Sequence, residues 1–196
     1  RAGASGVERF MKHYYLVAKE VGDLTRIFCA SLEHQQRRKP ILALSRLGLF
    51  RRETDGFVDE GGRLKVADPD IFKNDPVAMI RLFAVAQEHD RDIHPDAIKY
   101  ITRALKRIDD DVRQNTDANA LFLEILTARK SPEKALRRMN EAGVLGRFVP
   151  DFGRVVAQMQ HDMYHVYTVD EHSIRAIGIL SEIEAGSLKA DHPLAS

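Results

Sequence analysis

Three of the eight histidines of this chain lie between positions 161 and 172, beside acidic and aromatic residues. His161 and His165 are four residues apart, the spacing at which two imidazoles on one helix face can share a metal ion. In zinc proteases of this pattern a glutamate follows the first histidine and acts as general base. Here the residue is Asp162, which is one methylene shorter. No third ligand follows at the expected spacing, so we expect His161 and His165 to be packed or hydrogen-bonded.

The third histidine, His172, lies near the start of a predicted helix. Thr168 followed by Glu171 fits a capping box, and Asp170 and Glu171 then occupy the first turn, where the helix dipole favours negative charge. A histidine in this place is either a hydrogen-bonded core residue or a metal ligand whose partners come from elsewhere. Spacings of four, three and four define one helix face, which we expect to point towards the core: His172, Ala176, Ile179 and Ile183.

Arg175 follows His172 by about one turn of this helix. A guanidinium in this place could meet a phosphate group. We expect instead that Arg175 lies at the surface or forms a salt bridge with Glu171.

Length and composition limit the classes of function. The chain has 196 residues and a formal net charge of +1, which accommodates one core or one domain with part of a second. The balanced charge gives no reason to expect a nucleic-acid partner. Cys29 is the only cysteine, which excludes an intrachain disulfide and fits a reducing compartment. No apolar run approaches the roughly 20 residues that span a bilayer, and no signal segment is visible, so we expect a cytoplasmic protein without a membrane partner.

The first element is a long helix, predicted from Val7 to about Gln35. Apolar residues recur at alternating spacings of three and four, as in the seam of a coiled coil: Val7, Phe10, Tyr14, Val17, Val21, Leu24 and Phe28. We interpret the pattern as a long helix that packs on its own domain or on a missing neighbour, in preference to a free coiled coil.

The fold class that we predict is all-α, an irregular multi-helical bundle with one small β-hairpin at about residues 56–67. The hairpin is indicated by two short apolar runs on either side of Gly61 and Gly62. Helix boundaries are marked by capping residues, prolines and a terminal glycine: Asp75-Pro76, Pro95, Thr116 or Asp117, Ser131-Pro132 and Gly143. We interpret the acidic run at 109–111 as the solvated end of a helix. A domain boundary is predicted near Gln160, with one domain at 1–160 and the beginning of a second at 161–196.

Three stretches of the chain resemble one enzyme family. Residues 158–172 read QMQHDMYHVYTVDEH, and residues 135–153 read ALRRMNEAGVLGRFVPDFG after a Ser-Pro pair at 131–132. A weaker match is ERFMKHYY at residues 8–15. These stretches closely resemble the bifunctional PII uridylyltransferase/uridylyl-removing enzymes of bacterial nitrogen sensing. In that family the stretch at 158–172 marks the entry to an HD-type phosphohydrolase domain.

The resemblance implies a role for His172. It matches the first histidine of the HD metal set, which binds one or two divalent cations that polarise a phosphoryl oxygen and generate a hydroxide nucleophile. The remaining ligands, a His-Asp doublet and a distal aspartate, are expected beyond Ser196, so the doublets His89-Asp90 and His161-Asp162 are not the HD doublet. We therefore expect Mg or Mn in the full-length enzyme and no tight binding of metal to this segment alone.

The resemblance also implies the activity of the parent enzyme. Its transferase domain would add UMP from UTP to a tyrosine of the PII protein, and its HD domain would remove it in response to glutamine. The transferase and glutamine-sensing domains are expected outside this chain, which would then be a helical connector with the first hydrolase helix, inactive alone. A structural or docking module is the alternative. A tRNA-end-adding polymerase is a further rival, which the 30 basic and 29 acidic residues and the absence of tryptophan disfavour.

Overall fold

The computed structural model describes residues 6–36, 53–157 and 167–188. The first helix, α1 (Gly6–Gln36), has 31 residues and confirms the long helix predicted from the apolar pattern. Its last residue, Gln36, lies one position beyond the predicted end at about Gln35.

A small sheet follows α1. Its strands are β1 (Glu53–Thr54), β2 (Phe57–Glu60), β3 (Arg63–Val66) and β4 (Asp92–Ile93), in that order across the sheet. The pairs β1–β2 and β2–β3 are antiparallel, and β4 is parallel to β3. The two-residue turn between β2 and β3 has φ angles of 62° and 83° at Gly61 and Gly62, which glycine adopts without strain. The predicted hairpin is therefore confirmed, and the two-residue strands β1 and β4 extend it.

Nine further α-helices are present among the described residues. They are α2 (Ile71–Asn74), α3 (Ala78–Glu88), α4 (Pro95–Ala104), α5 (Asp110–Gln114), α6 (Thr116–Thr127), α7 (Pro132–Glu141), α8 (Val144–Phe148), α9 (Pro150–Val155) and α10 (Val169–Glu184). The mostly helical fold with one small sheet confirms the predicted fold class.

Three helix starts differ from the prediction. Helix α3 begins at Ala78, because Asp75 forms a turn in which its carboxylate accepts a hydrogen bond from the Val77 N–H. Helix α6 is capped by Asn115 rather than by the threonine or aspartate that follow it. Asp109 caps the start of α5, so the acidic run at 109–111 begins a helix and does not end one. In α5 and α6 the capping side chain accepts from the N–H three residues further on, which satisfies one of the first free N–H groups of the helix.

The core is built around α3. Met79, Ile80, Leu82 and Phe83 are all at most 1% exposed. This helix packs on α6 and α7, while Phe57 and Leu64 of the sheet join the same apolar cluster. Full burial of one such side chain contributes about 1.5–3 kcal/mol relative to exposure. The helices α3, α6 and α7 therefore pack together as the centre of the core, and α8 and α10 pack on α7.

Helices α8 and α9 cross at two glycines. A Cβ atom built on Gly153 would lie 2.4 Å from the carbonyl oxygen of Gly146, closer than any real contact of this kind. Gly143, with a φ of 76°, ends the preceding helix as predicted. The turn after α7 and the close packing of α8 on α9 thus depend on residues without a side chain.

Helix α10 packs on α7 and contacts α9. The predicted boundary at Gln160 lies outside the described residues and stays a prediction, as do the domain limits 1–160 and 161–196. Within the described part of the chain, no helix is both long enough and apolar enough to cross a membrane.

Candidate functional site

At the start of α10 the backbone has the predicted capping geometry, but the side chains do not. Thr168 is extended, with φ −66° and ψ 158°, and its carbonyl accepts from the His172 N–H at 2.9 Å. Its hydroxyl makes no capping hydrogen bond, so the predicted capping box does not form. The Glu171 carboxylate, the other half of the predicted box, is bound by the guanidinium of Arg137 on α7. An ion pair between α10 and α7 therefore forms where the capping box was predicted.

His172 lies on the outer face of α10, and the prediction that it points towards the core is wrong. His172, Ala176 and Ile179 are exposed and Ile183 is half-buried, whereas Ile174 and Gly178 are buried. The helix has two apolar stripes, and spacing alone does not say which one meets the core. Asp170 and Gly178 contact α7, and these contacts determine which face of α10 is buried. The exposed stripe is left as a second apolar face of α10.

Asp170 fixes the first turn of α10. Its side chain is buried, and Oδ2 accepts a hydrogen bond of 2.9 Å from Nδ2 of Asn140 on α7. Its other oxygen, Oδ1, accepts from the backbone N–H of Ala157 at 3.1 Å. A buried carboxylate is tolerated when such donors replace its hydration. The sequence placed Asp170 in the first turn but gave no sign of this contact, because Asn140 is 30 residues away.

Arg137 joins the same two helices beside Asp170. Its guanidinium binds Glu133 at 2.6 Å along α7 and Glu171 across to α10. Partial burial acts to lower the pKa of Arg137, but the hydrogen bonds and charges of Glu133 and Glu171 outweigh it and hold that pKa above its ordinary value. The arginine therefore stays charged and bridges both carboxylates.

Gly178 lets the helices approach closely. A Cβ atom there would lie 2.3 Å from Oε2 of Glu133 and 3.1 Å from its Cβ. Together, Asp170, Arg137 and Gly178 hold α10 against α7 at three points along its length. We call this set of contacts the α7–α10 junction.

Arg175 occupies the surface position that was one of its predicted places. Its Nη1 donates to the hydroxyl of Tyr167 at 3.0 Å, and its guanidinium carbon lies 5.2 Å from the ring centroid of that tyrosine. This contact, with a cation–π component, takes the place of the predicted alternative pairing with Glu171, which binds Arg137.

The junction does not form a metal centre by itself. No group of three or more His, Cys, Asp or Glu side chains that could hold an ion occurs in ranges 6–36, 53–157 and 167–188. His161 and His165 lie outside those ranges. One exposed imidazole is too few donors for a bound catalytic ion, so the described residues do not fit a complete site. The assignment of His172 as a metal ligand stays a prediction.

A basic cavity borders the other side of α7. It has a volume of about 400 Å³ and lies between α3, the loop before α7, and α7. Its lining includes Arg129, Lys130, Lys134 and Arg138, with Asp90 as its carboxylate. A hydrogen bond from Lys134, 3.1 Å away, and the charge of that ammonium hold the pKa of Asp90 below its ordinary 3.8; Arg138 and Lys130 act in the same direction. The sequence did not predict this cavity: Asp90 was considered there only as part of a His-Asp doublet, and Arg138 only as part of the stretch at 135–153.

Comparisons with known proteins agree with the resemblance drawn from the sequence. The family model described as the third domain of uridylyltransferase GlnD matches residues 57–148. The chain is 60% identical over 197 aligned residues to a bifunctional uridylyltransferase/uridylyl-removing enzyme of Azospirillum brasilense, and 56% identical over 196 to one of Rhodospirillum rubrum. Each alignment covers 100% of this chain and 21% of the relative, so the chain spans about a fifth of their length. No solved structure matches the chain. The resemblance inferred from residues 131–172 is confirmed.

Proposed function

Residues 57–148 belong to the family of uridylyltransferase GlnD third domains, and from this premise we propose that the chain is the central segment of a uridylyltransferase/uridylyl-removing enzyme. In this proposal the enzyme adds UMP from UTP to a tyrosine of the PII nitrogen-regulatory protein and removes it in response to glutamine. The similarity of the whole chain to one continuous fifth of the two relatives supports it. Transfer and glutamine sensing belong to parts of the enzyme outside this segment.

The role that we propose for the segment is to hold and present α10. The observation on which this rests is the α7–α10 junction, which leaves the face with His172 exposed while Asp170 and Ile174 are buried. A helix fixed at Asp170 presents His172, two residues later, in one orientation. His172 is then one ligand of a divalent cation, Mg or Mn, whose other ligands come from outside the segment. The segment alone has neither activity.

The test is the release of UMP from uridylylated PII protein by the full-length enzyme, with and without the substitution His172→Ala. We expect the substitution to reduce UMP release at least about 100-fold, since loss of a ligand weakens metal binding. UMP addition by the same preparation serves as the control and should change less than about twofold. Equal UMP release by both enzymes would show that His172 is not a ligand, whatever the family.

A docking module is the second candidate function. It is favoured by the exposed apolar residues of α1, which has no covering element in the described part of the chain. In this alternative the segment orders the catalytic domains or binds the PII protein directly. Binding of the 196-residue chain to PII protein that persists in EDTA would support it, and absence of binding at high micromolar concentration would exclude direct capture of PII.

A further inference from the structure

Helix α1 has a continuous apolar stripe that faces solvent. We call it the α1 seam, and each of its residues is between 45% and 66% exposed: Val7, Phe10, Tyr14, Val17, Val21, Leu24 and Phe28. At about 1.5 Å per residue the seam runs for about 32 Å. The largest apolar patch of a typical monomer covers roughly 300–600 Å² and is often functional. A stripe of seven large side chains therefore indicates a surface that another element covers.

The seam lies mostly apart from the few contacts between α1 and the rest of the fold, and Leu24 belongs both to the seam and to the groove beside those contacts. Lys12 donates to the carbonyl oxygen of Arg154 at 3.1 Å. A groove of about 580 Å³ remains open between α1 and helices α4 and α8, with Leu16 and Leu105 among its lining residues. Helix α1 thus has apolar residues both on the seam and on the side of Leu16, and both remain largely exposed. Such a pattern is typical of a helix from the inside of a larger assembly.

The spacing of the seam identifies the shape of its occupant. Alternating steps of three and four place side chains in ridges that fit the grooves of another helix. A two-stranded coiled coil between two copies normally has charged residues along both edges of its seam. Here these edge positions are mostly uncharged: Met11, Ala18 and Thr25 on one side, His13, Glu20 and Ile27 on the other. The sequence therefore favours a broad apolar surface in a bundle over a dimeric seam.

A lipid surface fits less well than a helix. Amphipathic helices that bind anionic membranes have an excess of lysine and arginine on their polar face. The sequence of α1 contains four acidic residues, at 8, 20, 23 and 33, and four basic residues, at 9, 12, 19 and 26. This balance provides no net attraction to anionic headgroups.

We propose that the α1 seam is an intramolecular docking surface, covered by apolar-faced helices from the part of the longer enzyme that lies outside this segment. The relatives support this occupant, because 100% of this chain aligns with only 21% of their length, which leaves about four fifths of each polypeptide to supply the helices. The inference rests on the proposed place of the chain in a longer enzyme and goes beyond its activity. It assigns α1 as the element that joins the third domain to the remaining polypeptide.

Thiol labelling in the full-length enzyme tests the proposal. In a Cys29→Ser background, Val21→Cys places a thiol on the seam, and Glu124→Cys places the matched control on the exposed face of α6. We expect maleimide to react with the seam thiol at least about tenfold more slowly than with the control, and at the same rate in 6 M guanidinium chloride. Equal rates in the native enzyme would overturn the proposal.

Labelling at decreasing enzyme concentration distinguishes an intramolecular cover of the seam from a second copy of the enzyme. Protection that stays constant as the enzyme is diluted below its self-association range supports an intramolecular cover, whereas protection lost on dilution would show that a second copy occupies the seam and would overturn the proposal. Protection that appears only with anionic vesicles would overturn it in favour of a membrane. Labelling needs no catalysis, so UMP release measured on the same samples reports separately on the proposed function.

Discussion

The carboxamide of Asn140 donates a 2.9 Å hydrogen bond to the carboxylate of Asp170, and both side chains are at most 4% exposed. This bond joins α7, within the family-matched residues 57–148, to α10, which lies beyond them. It is therefore a direct structural link between the third domain and the helix that bears His172.

Exchanging Asn140 and Asp170 tests whether the hydrogen bond between them, and not the volume of their side chains, stabilises the fold. Asn140→Asp places two carboxylates together in a buried site, and we expect it to lower the free energy of unfolding by about 3 kcal/mol. The double variant Asn140→Asp/Asp170→Asn restores a donor opposite an acceptor and should recover most of that loss. Urea unfolding of the 196-residue chain measures both. A single variant as stable as the parent would show that the bond contributes nothing.

The same exchange should affect one activity of the full-length enzyme more than the other. Under the proposed function, in which this helix presents His172 as a metal ligand, we expect Asn140→Asp to slow UMP release from PII protein about tenfold, the scale seen when the supports of a ligand are lost. UMP addition should change little, and the double variant should recover release to within about threefold. A parallel loss of both activities would indicate general unfolding instead of misplaced His172.

Two glycines should respond to alanine with opposite signs. In Gly178→Ala the added Cβ meets Oε2 of Glu133 at 2.3 Å and its Cβ at 3.1 Å, and we expect a net loss of about 1 kcal/mol from overpacking. In Gly22→Ala nothing lies within 4 Å, so the higher helix propensity of alanine should stabilise α1 by about 0.5–1 kcal/mol. Thermal unfolding followed by circular dichroism compares the two. Stabilisation by Gly178→Ala would contradict the close contact of α10 with α7.

The positive charges of the basic cavity should be measurable through the pKa of Asp90. Lys134 favours the charged carboxylate, so Lys134→Met should raise the pKa of Asp90 towards its ordinary 3.8. Because the folded-state pKa is the lower one, the stabilising effect of this pair is present above the unfolded pKa and is lost as the pH falls through the folded value, below about pH 4. NMR titration of the carboxyl carbon measures the shift. Lys106→Met, on the 3-10 turn after α4, should leave the pKa of Asp90 unchanged.

Regular elements could be predicted from the sequence where local chemistry decides them. The hairpin follows from two adjacent glycines, and α1 and the buried stripe of α3 follow from apolar spacing. The orientation of α10 could not be predicted, since apolar spacing alone does not say which face meets the core and the choice depends on contacts with residues 30 or more positions earlier. The same holds for Asn140, whose amide looks like an ordinary polar residue within a helix. Strands β1 and β4 are too short to show any alternation.

The parallel pairing of β4 with β3 predicts an order for folding. The β2–β3 hairpin closes over two residues and can form by itself in microseconds. We expect strand β4 to reach β3 after the intervening α2 and α3 have docked, because the His94 N–H that donates to the Leu64 carbonyl at 2.9 Å lies 30 residues further along the chain. The edge of the sheet is thus completed late, when the core around α3 already exists. In a pulse-labelling experiment the amide of His94 should gain protection from exchange together with the core and after the hairpin amides.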